Sequence, residues 1–134
     1  MKAVQVKICG ITRPGDAEVA LSEGAGHLGF ILHEKSPRCV TLSQAQSLFD
    51  EARVPEEKRV AVAVDPEVDC LGRWKAGGFS GFQLHFPHDL ARDRIAEWAE
   101  LVGPGNLLLA PQLPPGESFP EDLLGLADSF LIDA

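Results

Sequence analysis

Cys9 and Asp133 are the two side chains in this 134-residue chain best suited, by type and setting, to exchange protons with a substrate. A thiol ordinarily ionises near pH 8.5 and does so more readily beside a cation, becoming a base or nucleophile at neutral pH. Lys7 stands two residues before Cys9 and so shares its face of any extended strand. A carboxyl becomes an acid where burial raises its pKa, the role open to Asp133. An acid and a base on opposed walls of one site suit isomerisation by proton shuttling. Cys9 also has a plain packing reading as a small buried hydrophobe, and residue type alone leaves both readings open.

The elements that must position these groups follow a regular rhythm. Strands are expected at residues 4–9, 27–32, 59–64, 81–85, 106–110 and 129–132, where β-branched or apolar runs close on turn residues. Helices are expected at 17–22, 44–52, 67–76, 89–102 and 121–127. Thr12 with Pro14, and Thr41 with Ser43, supply helix-start signals. Gly77-Gly78 and Gly103-Pro104-Gly105 read as turns that end helices. The Pro-rich stretch 111–120 reads as a long strand-to-helix connection. Strands and helices in alternation argue for parallel βαβ units in one domain, an α/β fold. Such folds gather ligands at the carboxyl ends of their strands. Those ends carry Cys9, the loop 33–38, Asp65, His85, Gln112 and Asp133, polar or reactive groups following apolar runs.

Composition narrows the field of partners. The chain is 45% hydrophobic and 24% charged, with a formal net charge of -8. Such a field repels nucleic acid and anionic membrane surfaces, and neither is an expected partner. Small anionic substrates remain compatible, because local cations can outweigh a distant acidic surface. No stretch approaches the ~20 apolar residues of a membrane span, and the first residues do not form a signal-peptide core. Cys9, Cys39 and Cys70 show neither disulfide nor metal spacing, so a reducing cytoplasm is expected. His33 and His88 lack partner carboxylates at ligand spacing, and no metal is expected. Cys39, Cys70, Trp74 and Trp98 read as packing, and His27 belongs at the far end of its strand from the strand-end groups.

Residues 6–12 (Val-Lys-Ile-Cys-Gly-Ile-Thr), Pro14 and Asp16-Ala17 form a motif, followed by Leu28-Gly29-Phe30 and by residues 35–40 (Lys-Ser-Pro-Arg-Cys-Val). Residues 62–65 (Val-Ala-Val-Asp), 82–85 (Phe-Gln-Leu-His) and 131–133 (Leu-Ile-Asp) complete the series. In that order the chain resembles the phosphoribosylanthranilate isomerase family of tryptophan biosynthesis. The resemblance implies a TIM (βα)8-barrel in which residues 1–134 form a partial domain of six strands and five helices. It implies an Amadori rearrangement of N-(5-phosphoribosyl)anthranilate to the carboxyphenylamino-deoxyribulose phosphate, with no cofactor. By position, Cys9 would be the general base at C2 and Asp133 the general acid at the ribose ring oxygen. Arg38 would hold the anthranilate end, Gln83 and His85 would line the pocket, and Lys7 would stand in the wall beside Cys9.

The sequence departs from the family pattern at three places. Phe86-Pro87 follows His85 where Gly and an acidic residue are usual, and Asp65 stands where Asn is common, adding negative charge beside the expected substrate. The family continues beyond the counterpart of Asp133 with two more βα units and their phosphate-binding loops, and barrels of this kind take about 200 residues or more. Three accounts stay open: part of a longer isomerase, a chain completed by a partner or by self-association at open barrel edges, or a folded but inactive binding module. Other phosphosugar isomerases on the same scaffold, which use paired aspartates, are a further alternative.

Overall fold

The structure, a computed structural model, describes residues 3–132; Asp133 therefore lies outside the described residues. Among these, six strands form one parallel sheet in sequential order: β1 (Lys7–Cys9), β2 (His27–Ile31), β3 (Arg59–Val64), β4 (Gly81–Pro87), β5 (Leu107–Gln112) and β6 (Ser129–Phe130). Four α-helices connect them: α1 (Pro14–Ser22), α2 (Leu42–Glu51), α3 (Val68–Ala76) and α4 (Arg92–Val102). All neighbouring strands are parallel, so each return path crosses the sheet and its carboxyl ends gather along one rim.

Alternation along the strands sorts side chains onto two faces. One face carries Leu28, Phe30, Ala61, Ala63, Phe82, Leu84, Phe86, Leu107 and Leu109, which belong to the main core with the helices. The other carries Ile31, Val60 and Val62, a smaller cluster that Cys9 joins. The large core holds the helices by apolar burial, helped by aromatic edges. Phe30, Phe49 and Phe79 meet in T-shaped pairs with centroids 5.1–5.9 Å apart. On α4, Ile95, Trp98 and Val102 fall at helical spacing and are all buried. Trp98 packs edge-on against Phe86 at 5.8 Å, and its indole Nε1 donates to the Pro66 carbonyl at 3.2 Å.

Local signals account for most boundaries. Thr41 accepts from the Gln44 backbone N–H, and the Gln44 side chain accepts from the Thr41 N–H, a complete capping box for α2. Pro14 opens α1, but its N-cap is Arg13, which makes no side-chain cap. Several expectations shift: β1 covers only Lys7–Cys9 of the expected 4–9, β6 only Ser129–Phe130 of 129–132, and α1 starts at Pro14 where 17 was expected. The helix expected over 89–102 begins at Arg92, because the Leu90 N–H closes a turn onto the Pro87 carbonyl and Ala91 is extended. The fifth helix is only a five-residue 3-10 turn, Glu121–Gly125, with no side-chain cap. It follows a run of prolines and ends on glycine, too short to sustain α-helical hydrogen bonding. β4 runs two residues longer than expected, since Phe86 and Pro87 still pair with Pro111 and Gln112.

Removing the Trp98 indole deletes a fully buried ring and a hydrogen bond, so Trp98→Ala should cost about 3–5 kcal/mol. Thr41→Ala should cost about 1 kcal/mol through the lost cap. Urea unfolding checks both values, and equal losses for the two variants would contradict this ranking.

Candidate active site

Short, stiff strands set the rim. β1 ends at Cys9, and Gly10 turns the chain with φ +86°, a backbone conformation that L side chains rarely adopt. A Cβ on Gly10 would lie 2.3 Å from Arg38 Nη1, so the bare glycine lets the guanidinium lie against the end of β1. From there Arg38 Nη1 donates to the Cys9 carbonyl at 3.3 Å. The Arg38 loop is fixed in turn by Ser36, whose Oγ accepts from the Arg38 N–H at 3.2 Å, and by a bridge between Ile31 and Cys39. Gly29 is the register partner of Cys9, and a Cβ there would stand 3.1 Å from its sulfur. The glycine leaves room beside the thiol.

Lys7 shares the Cys9 face of β1, and its ammonium reaches across the concave side to donate to Gln83 Oε1 on β4. Gln83 Nε2 lies 2.9 Å from His85 Nε2, two residues further along the same face. Lys7, Gln83 and His85 thus form a continuous polar line across a surface otherwise walled by Val60, Val62 and Leu108. Burial pushes the Lys7 ammonium below its usual 10.5, while the neighbouring Cys9 acts in the opposite sense. Lys7 and Gln83 also line a cavity of about 390 Å³ with Glu57, Ser80, Asn106 and Leu131. That cavity opens at the amino ends of the strands, and His27 stands there as expected. It is not lined by Cys9 or Arg38, which stand at the carboxyl-end rim of the sheet.

Asp65 is drawn elsewhere. It follows β3 with φ 41°, and its Oδ1 lies 3.0 Å from Arg94 Nη2 of α4. The same guanidinium nitrogen donates to the Pro66 carbonyl at 3.2 Å, so this buried carboxylate oxygen is met by charge without an aligned hydrogen bond. The negative charge expected beside a substrate is thereby balanced by a helix. Sequence reading missed the Arg94 partnership and the link from Lys7 to Gln83, because both join residues remote in sequence. Cys39 donates weakly to the Val40 carbonyl, and Cys70 lies in α3 with Arg73 Nη2 3.1 Å from its sulfur. Among the described residues, no three His, Cys, Asp or Glu side chains converge as a metal site.

Known proteins match this chain in sequence and in fold. The family model for N-(5'-phosphoribosyl)anthranilate isomerase matches residues 6–101. The chain belongs to that family. An N-(5'-phosphoribosyl)anthranilate isomerase of Zymomonas mobilis subsp. mobilis is 35% identical over 98% of the chain and 62% of its own length. The enzyme of Zymomonas mobilis subsp. pomaceae is 42% identical over 62% of the chain and 39% of its own length. The chain therefore spans less than two thirds of these relatives. Dimeric phosphoribosylanthranilate isomerase from Thermotoga maritima, solved as generated monomers, superposes with a TM-score of 0.77 at 26% identity, covering 97% of this chain and 64% of that one. A second phosphoribosylanthranilate isomerase, in complex with reduced 1-(o-carboxyphenylamino)-1-deoxyribulose 5-phosphate, superposes at 0.79 with 27% identity over 98% of this chain and 65% of that one. The six parallel strands with their helices are thus part of a TIM-barrel-like α/β fold.

The Lys7 shift has a measurable sign. The folded chain binds this proton more weakly than the unfolded chain, so the cost of burying the charge is present at neutral pH. It is relieved as pH rises through the lowered folded value toward 10.5. Over that window the protein should gain stability relative to Lys7→Met, as read from paired urea titrations at pH 7 and pH 10. A stability difference that does not change with pH would contradict the buried charge.

Proposed function

We propose that this chain carries the isomerase chemistry of its family, converting N-(5'-phosphoribosyl)anthranilate to 1-(2-carboxyphenylamino)-1-deoxyribulose 5-phosphate. The observation that carries the reading is the pairing at the end of β1. Cys9 faces the concave side at the strand's carboxyl end, and the Arg38 guanidinium lies against the next residue. A base and an anion-binding cation therefore share one rim, as a substrate with an aromatic carboxylate requires. In this reading Cys9 takes the C2 proton of the ring-opened imine, and Arg38 holds the anthranilate carboxylate with its forked donors. Asp133 protonates the ribose ring oxygen, a role resting on the family motif at residues 131–133. Lys7, Gln83 and His85 form the polar wall between. Three free cysteines suit a cytoplasmic setting, and among the described residues no helix is long and apolar enough to cross a membrane.

Loss of the anthranilate substrate's fluorescence reports turnover directly. Cys9→Ala should lower kcat about 10²–10⁴-fold, the usual worth of a positioned base. Unchanged turnover in a variant that folds normally would overturn the assignment of Cys9.

One observation favours a second reading, a module that assembles with a second copy of itself. Val4, Val6 and Ile8 are 90%, 51% and 40% exposed, an apolar row ending in the edge strand β1. Edge strands with apolar faces invite association. On this reading the chain elutes above its monomer mass of 14.4 kDa in size-exclusion chromatography, and Ile8→Lys shifts it back toward that mass. Elution of the unaltered chain as a monomer would count against self-assembly.

A further inference from the structure

The polar line across the concave face has a direction, and that direction determines where the His85 ring keeps its proton. An ammonium group has donors only, so the Gln83 atom that Lys7 meets must be the carbonyl oxygen, as the structure has it. This settles the sense of an amide whose two ends are otherwise interchangeable. The Gln83 nitrogen is then left facing His85 Nε2 at 2.9 Å. An amide nitrogen cannot accept, so the ring nitrogen must. A ring nitrogen that accepts carries no proton; an imidazolium would set N–H against N–H.

The surroundings leave Gln83 little alternative. It is 4% exposed, the one polar side chain in the buried set of described residues. Its register partners on β3 and β5 are Val62 and Leu108, both apolar. A buried amide that lost either contact would carry an unmet polar group away from water. Gln83 and His85 stand two residues apart on one strand, so their spacing is set by the backbone.

We infer that Gln83 is a positioning residue that holds His85 as the neutral tautomer with its proton on Nδ1, Lys7 setting the sense of the amide. This deepens the proposed function and rests on the concave face being the site. The ring is then an uncharged group with its single N–H on Nδ1. In that form it adds no further positive charge to the line that Lys7 begins.

Long-range ¹H–¹⁵N correlation spectra of ¹⁵N-histidine-labelled protein read the tautomer without any turnover. The failure of this inference and the failure of the isomerase reading are therefore separable. The chain has four histidines, and His85 is assigned by its loss in His85→Gln. The expected result is an unprotonated Nε2 and a protonated Nδ1. Gln83→Glu keeps an acceptor for Lys7 and removes the donor to the ring, so the proton should move to Nε2. Were Gln83 merely a strut between β1 and β4, that variant would leave the ring unchanged. A protonated Nε2 in the unaltered chain, or an unchanged ring in Gln83→Glu, overturns the inference. Should Gln83→Glu fail to fold, Lys7→Met decides. A mixture of tautomers there supports the relay, and a single Nδ1–H form overturns it.

Discussion

One constraint governs the described residues, that their six strands lie parallel and side by side in the order in which they occur. Parallel neighbours cannot be joined by tight hairpins, so each connection must cross the sheet. Most crossings carry a helix on one face. That face becomes the apolar core of phenylalanine, leucine and Trp98, and the opposite face is left concave with few aliphatic side chains. The same topology brings all carboxyl ends to one rim. Cys9, Arg38 and His85, distant in the chain, are brought toward one rim because the strands they end, follow or sit on run parallel in one sheet.

Charge on the concave face is handled differently from charge at its edge. Lys7 is drawn into partly apolar surroundings and receives a neutral partner, Gln83. A neutral acceptor satisfies the ammonium without adding a second buried ion, whose desolvation would be costly. At the rim, Asp65 is instead paired with Arg94 from α4, where both groups are about a third exposed and solvent supplies the rest. An ion pair in that setting adds modestly to stability. Its consequence is local: the carboxylate is turned toward the helix layer, so the positive side of the rim is left to Arg38.

Much of this was legible in residue order. Runs such as residues 59–64 alternate between faces and stop at turn residues, and their strands appear where expected. Thr41 was legible as a helix-start signal, although the helix expected from Gln44 begins at Leu42, where Thr41 and Gln44 close a capping box. Signals weakened where the backbone depended on distant contacts. The segment 121–127 has helical composition, yet it forms only a 3-10 turn between a proline run and the last strand. Residues 89–91 are compatible with a helix, but the turn closed on Pro87 delays it.

The sequence by itself determined that Cys9 ends a strand and that Lys7 shares its face, because alternation and turn chemistry are local properties; His85, expected at the end of its strand, stands two residues before it. Cys9, Lys7 and the Gly10 turn follow from seven consecutive residues. Tertiary structure alone decided the partners. That Lys7 finds Gln83 across the hollow, that Arg38 occupies the space a Gly10 side chain would need, and that Asp65 is claimed by Arg94 depend on strand register and curvature. Those arise from packing between segments separated by up to 76 positions, which no local pattern encodes.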